Sequence, residues 1–349
     1  MKSVLVILDG VSEEKTDVLH GMTPLEYACA PTIDSIVKKG IHKKTSYCVE
    51  GREPDSLSCI LSVLGVDSSI IPRNRAYLEA LASGINVSDD EVVLRCNLIS
   101  MDENRLESFN GRGLIPEEVE DISNKVTVPD GLKFHHLTDY RSLMVAKRSK
   151  EILMLENMAP HENIGINISK LLIGAGKIDI LNKFIEANSF SIRGRQYMFY
   201  PWGAAEKSCL PSFFNLHGKT GSCICGAEIM KGIAKAMGMN VPVLKNATGD
   251  VDTDLREKAE AVLNELKTYD VVVAHINGAD EAAHRMNIQE KISFIEKTDR
   301  KFLRTIYENM ENTSLTIVSD HQTSSITGKH EKGPVDYISN IREEFTWQR

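Results

Sequence analysis

The chain has 349 residues, 42% of them hydrophobic and 26% charged, with a formal net charge of −8 at neutral pH. That length holds two domains or one large one with an ample core, and the apolar and charged fractions are those of an ordinary globular chain. The negative balance argues against a nucleic-acid or membrane-surface protein, so a pocket for an anionic ligand has to be built locally.

In chain order, Val4 to Leu8 is a continuous apolar run closed by Asp9-Gly10, the pattern of a buried parallel strand. The opening MKSVLVILDG is too short in apolar residues for a signal peptide, and no run approaches membrane-spanning length. The seven cysteines are scattered, with no CxxC pair, which predicts a reduced, cytoplasmic setting. From about Leu78 to Arg195 the strands are shorter and mixed with helix, as in 91-EVVLRCNLIS-100 and 141-RSLMVAK-147. Gly111, Gly113, Pro129-Asp130-Gly131 and Gly194 punctuate this stretch as turns. It reads as an α+β cap, residues 78–200, inserted between core segments 1–77 and 201–349.

Further on, 252-DTDLREKAEAVLNELK-267 carries Leu255, Ala259, Val262, Leu263 and Leu266 on one helical face, with Asp252 or Thr253 able to cap it. VVVAHI (271–276) is a second buried strand, a long helix runs from Ile288 to Met310, and Leu315 to Val318 is a third strand. Buried strands alternating with amphipathic helices predict an α/β core with a mostly parallel sheet between helices. Lys258 and Lys291 are expected to be solvated helix residues, and His135, His136, His217 and His275 to be structural. Neither 174-GAGKID-179 nor Gly218-Lys219-Thr220 has the glycine spacing of a nucleotide-binding loop.

Open α/β sheets bind ligands at the carboxyl ends of their strands. Three such ends carry polar residues here: Asp9, then Asp320-His321, then 277-NGADEAAH-284 with Asp280 and His284 at i and i+4. His330 follows in a Ser/Thr/Gly/Lys-rich loop. Any one of these alone is explained as a helix cap, an exposed helix pair or a surface residue. Six nitrogen and oxygen ligands from three chain regions are better explained by a cation. Hard carboxylates with imidazoles and no thiolate suit manganese, zinc or cobalt, with magnesium at a carboxylate-rich position.

This set resembles the alkaline phosphatase superfamily, and within it the archaeal-type, cofactor-independent (2,3-bisphosphoglycerate-independent) phosphoglycerate mutases. The resemblance runs through 7-ILDG-10, 23-TPLEYACAPTIDSI-36, 94-LRCN-97, 160-PHENIG-165, 226-GAEIMKGIAKAMGM-239, 247-ATGDVDTD-254, 277-NGADEAAH-284 and 319-SDHQT-323. It implies an alkaline-phosphatase-like core and two divalent metal ions with no organic cofactor. Asp280, His284 and His330 would hold one ion. Asp9, Asp320, His321 and a nucleophilic serine would hold the other. Counting back from Leu64-Gly65-Val66-Asp67 in 54-PDSLSCILSVLGVD-67 puts that serine at Ser56, with Ser58 the alternative; each is also a candidate helix N-cap. Arg75, Arg95, Arg141 and His161 match the family's substrate-binding positions, and each can equally be a structural ion-pair partner.

The sequence departs from the family at Asp55-Ser56-Leu57 in place of Gly-Ser-Asp, at Val66 in place of tyrosine, at Asn74-Arg75 in place of Gly-Arg, and at 108-SFNGRG-113 in the cap. Three readings follow. The first is a mutase interconverting 2- and 3-phosphoglycerate through phospho-Ser56. The second is a related phosphotransferase or phosphatase, for instance homoserine-kinase-like, on another small phosphorylated metabolite. The third is a silent metal-binding interaction protein, against which the intact ligand set argues. The oligomeric state is left open.

Overall fold

The computed structural model describes residues 2–156 and 158–342. The chain divides into two compact units, Met1–Ile71 with Cys209–Arg349, and Pro72–Ser208. The first is α/β. Its sheet runs in the order Ile41–Thr45, Val335–Ser339, Thr313–Val318, Lys2–Leu8, Val271–Ile276 and Gly221–Ile224. The last four strands are mutually parallel, while Val335–Ser339 and Ile41–Thr45 add an antiparallel edge.

Lys2–Leu8 lies between two parallel neighbours, which is why its sequence is apolar on both faces. Val4, Val6 and Leu8 share a core cluster with Leu255, Ala259 and Val262 of one helix and Phe302, Leu303 and Ile306 of another. The helix Leu255–Glu265 is capped by neither Asp252 nor Thr253, the two residues the sequence suggests. Asp254 is its cap and accepts from the backbone N–H of Arg256 and Glu257, whereas Thr253 is engaged by the N–H of Thr248. The long helix is present as Ile288–Thr298 and Arg304–Asn309, joined by a π turn at Asp299–Leu303. Asp299 is fully buried there, and its carboxylate accepts from Thr32 and Ile33, the first turn of the helix Pro31–Lys39.

Two expectations fail at lysines. Lys258 and Lys291 are completely buried rather than solvated. Lys258 Nζ donates to the carbonyl of Thr248 at 3.1 Å, and Lys291 Nζ donates to Glu13 Oε2 at 2.8 Å and to the carbonyl of Thr323 at 2.7 Å. Helical periodicity marks a lysine as facing the core or not, but it cannot show a partner 278 residues away that makes burial tolerable.

The second unit is an antiparallel sheet, ordered Leu132–Thr138, Arg141–Lys147, Glu91–Asp102, Arg195–Glu206 and Ser189–Ile192, with Arg105–Ser108 paired to Glu91–Asp102. Its core packs Leu94, Cys96 and Leu98 with Phe184, Phe199 and Trp202. Among the described residues, no helix is long and apolar enough to cross a membrane.

Candidate metal centre

The parallel strands of the first unit end together, and their next residues turn into one spot. Asp9 directly follows Lys2–Leu8, its N–H bonded to the carbonyl of Ile276 at 3.0 Å. Gly10 then takes φ +58°, and a β-carbon there would stand 2.5 Å from Asp280 Oδ1 and 2.6 Å from Thr323 Oγ1, so only glycine fits between the acids. The N–H of Gly10 donates to Asp320 Oδ1 at 3.2 Å.

All seven metal-site residues named from the sequence converge here. His321 Nε2 lies 3.4 Å from Asp9 Oδ1, 3.4 Å from Asp320 Oδ2 and 3.2 Å from Ser56 Oγ. Asp280, on the helix Gly278–His284, lies 3.2 Å from His284 Nε2 and 3.5 Å from His330 Nε2 through its two oxygens. Candidate ligand atoms of Asp9, Asp320 and His321 fall within 4.8 Å of one another, as do those of Asp280, His321 and His330. His321 therefore reaches both groups, whereas the sequence places it in one. His284 joins the second group through contacts to Asp280 and to His330 Nε2, the latter 3.1 Å away.

The donor chemistry suits cations. Asp9 Oδ1 and Asp320 Oδ2 are buried without a hydrogen-bond partner among the described residues. Burial and the neighbouring charges of Asp320 and Asp280 push the Asp9 carboxyl well up, and burial raises Asp320 as well. Burial also opposes ionisation of Asp280, but hydrogen bonds from His284 and His330 outweigh it and hold that carboxyl well below its usual range. His284 is lifted to about 9, chiefly by its bond to Asp280. Its Nδ1 faces the carbonyl of Gly328 at 2.9 Å, and His330 Nδ1 faces that of Pro54 at 3.0 Å. Carbonyls only accept, so both rings carry hydrogen on Nδ1 and turn Nε2 inward, the outer support that metal-binding imidazoles use.

Ser56 opens the helix Ser56–Val63, and the cap is Asp55, not either serine. Asp55 accepts from the N–H and the hydroxyl of Ser58, the latter at 2.6 Å. Ser58 is thus committed to the cap, while Ser56 faces His321. The two apolar departures nearby, Leu57 and Val66, are buried in the core.

The other four predicted residues lie in the second unit. Glu79 bridges Arg75 at 2.9 Å and Arg95 at 3.0 Å, and the Arg95 guanidinium stacks 4.2 Å from the Trp202 ring. Burial lowers Arg95 to about 10, opposed by the charge of Glu79; the positive charges of Arg75 and Arg141 add to the lowering. The His161 ring lies 6.1 Å from that of Trp202. Arg95 and His161 therefore both lie against one tryptophan, and Arg75 and Arg95 share Glu79.

Sequence reading missed two contributors. His275, taken as structural, places Nε2 3.0 Å from Asp9 Oδ2, with both side chains fully buried. Thr323 donates to Asp280 Oδ1 at 2.6 Å. A histidine one residue before the end of a buried strand, beside an acid-ended strand, is the available signal for the first; nothing local marks the second.

The metalloenzyme superfamily model matches residues 1–340. A 2,3-bisphosphoglycerate-independent phosphoglycerate mutase of Methanococcus aeolicus is 30% identical over 97% of this chain and 88% of its own length. The chain belongs to the metalloenzyme superfamily, in the family of archaeal 2,3-bisphosphoglycerate-independent phosphoglycerate mutases. A further such mutase, from Methanocaldococcus jannaschii, is 29% identical over 97% of this chain and 87% of its own length. A solved protein from Pyrococcus horikoshii shares the fold with a TM-score of 0.77 at 24% identity, over 97% of this chain and 87% of that one.

Proposed function

We propose that this protein is a metal-dependent phosphoglycerate mutase that interconverts 2- and 3-phosphoglycerate through a phosphoserine at Ser56. The observation that carries this reading is the Ser56 hydroxyl, 3.2 Å from His321 at the meeting point of both acid and imidazole groups, in a chain of this family.

Asp280, His284 and His330 would hold one divalent ion, and Asp9, Asp320, His321 and Ser56 the other, with His321 within reach of both groups. Manganese, zinc, cobalt and magnesium all suit such donors. When bound, the ions supply positive charge that favours the serine alkoxide and offsets the charge of the phosphoryl oxygens.

The chain's own residues supply the rest. Ser56 Oγ attacks phosphorus of the bound phosphoglycerate, and the bond from phosphorus to the glycerate oxygen breaks. The phosphoryl group then rests on a residue at a helix N-terminus, where the backbone dipole favours negative charge. A second hydroxyl of the retained glycerate attacks phosphorus in turn and releases Ser56. Arg75, Arg95, Arg141 and His161 are assigned to the anionic substrate, with Glu79 bridging Arg75 and Arg95 and the Trp202 ring stacked on Arg95. A retained glycerate makes the enzyme a mutase; water in its place would make it a phosphatase.

The test is a coupled assay of the protein with Mn²⁺ and 3-phosphoglycerate that follows 2-phosphoglycerate and free phosphate separately. Isomerisation without phosphate release supports the mutase. Phosphate release alone, or no turnover by metal-loaded protein, overturns it in favour of another small phosphorylated substrate.

A further inference from the structure

Thr323 is completely buried, and every polar atom it has is committed. Its N–H donates to the carbonyl of Ser12 at 3.1 Å, and its own carbonyl accepts from Lys291 Nζ at 2.7 Å. It pairs in register with His330 across the short ribbon Gln322–Thr323 and His330–Glu331. Lys291 is itself clamped by Glu13, which also accepts from the N–H of Ser325 at 2.7 Å and the hydroxyl of Ser325 at 2.8 Å. The backbone is thus fixed on both sides, and the hydroxyl is delivered to one place.

That place lies between the two ligand groups. Thr323 Oγ1 is 2.6 Å from Asp280 Oδ1 and 3.2 Å from His321 Nδ1. A hydroxyl has one hydrogen. It is given to Asp280 Oδ1, at 2.6 Å the shorter of the two contacts. The threonine oxygen is then available only as an acceptor, so the hydrogen on its other side belongs to His321 Nδ1. His321 Nε2, the atom facing Asp9, Asp320 and Ser56, is left with its lone pair inward, as a cation ligand requires.

Resting on the metal-centre reading above, we propose that Thr323 is a positioning residue that couples the two metal sites: one hydroxyl selects the inward-facing nitrogen of His321 and holds Asp280. Removing it leaves a buried Nδ1–H and a buried carboxylate oxygen without this partner, one in each ligand group, so both sites weaken together.

The experiment is calorimetric titration of metal-free wild type, Thr323→Val, Thr323→Ser and His284→Ala with Mn²⁺. Wild type binds two ions. Thr323→Val, nearly isosteric but without the hydroxyl, weakens both binding steps by about 10- to 100-fold, the usual loss for an outer-shell partner. Thr323→Ser restores both, and His284→Ala weakens one step only. Wild-type affinity at either step in Thr323→Val overturns the coupling. A wild type that binds no ion overturns the metal-centre reading itself, a separate result. A second measurement needs no variant: ¹⁵N chemical shifts of the His321 ring in the Zn²⁺-loaded wild type. Hydrogen on Nδ1 is the expected result, and a bare Nδ1 would overturn the assignment even if Thr323→Val does not fold.

Discussion

His275 Nε2 lies 3.0 Å from Asp9 Oδ2, and neither side chain is reached by solvent. Burial pushes the His275 imidazole down to about 3, so the ring is neutral at physiological pH. Its Nδ1 has no hydrogen-bond partner among the described residues, so its hydrogen-bonded nitrogen is the one facing Asp9. The contact fixes one oxygen of Asp9 without adding charge and leaves Oδ1 toward Asp320 and His321. His275→Ala is expected to weaken metal binding by about 10- to 100-fold, with partial recovery in His275→Gln. Competition against a chromophoric chelator measures this; unchanged affinity in the alanine variant would count against it.

Ser56 and Ser58 separate by geometry. Ser58 is held by Asp55 inside the helix cap, so Ser58→Ala is expected to cost about 1 kcal/mol of stability and to keep the catalytic rate. Ser56→Ala is expected to abolish turnover with little change in the urea midpoint. A Ser58→Ala enzyme that folds normally and is dead would reverse the assignment.

The Lys291–Glu13 pair has side chains 0% and 3% exposed. Burial lowers the Lys291 ammonium, and Glu13 opposes that shift. Losing one partner strands a buried charge, so Lys291→Met is expected to cost roughly 3–5 kcal/mol. Lys291→Met with Glu13→Gln should cost less than the two single changes added together. Urea unfolding of the three variants measures the coupling, and simple additivity would contradict it.

These cases show what the sequence made legible. Asp9 and Asp320-His321 stood out because each ends an apolar run, and burying such groups needs a reason that a strand pattern makes visible. Asp280 and His284 stood out by helical spacing. The sequence does not show Lys291 as buried because its acid lies in another part of the chain, and it does not mark Thr323 because a threonine two residues after a histidine is ordinary until folding sets it against Asp280. The cap of Leu255–Glu265 shows a smaller limit: the sequence points to Asp252 or Thr253, and the loop geometry puts Asp254 there instead.

Acid stability offers a test away from the centre. Burial works against the charge of Asp336, but hydrogen bonds from His42, Ser12 and Lys44 outweigh it and hold the carboxyl at about 2, below its ordinary 3.8. A depressed carboxyl stabilises the fold above its unfolded value and stops doing so as pH falls through its folded value. Asp336 is therefore expected to contribute about 2 kcal/mol above pH 5 and to lose it between roughly pH 4 and 2. The stability gap between wild type and Asp336→Asn should close over that window. A gap independent of pH would contradict the assignment.

The central claim is that Ser56 carries the phosphoryl group, and the most direct measurement is peptide mass spectrometry after acid quench. Metal-loaded protein is mixed with 3-phosphoglycerate, stopped during turnover and digested. One phosphoryl group is expected on the peptide containing Ser56, localised to that residue and absent from Ser56→Ala. Phosphate on Ser58, or turnover with no phosphorylated peptide at any quench time, would contradict it.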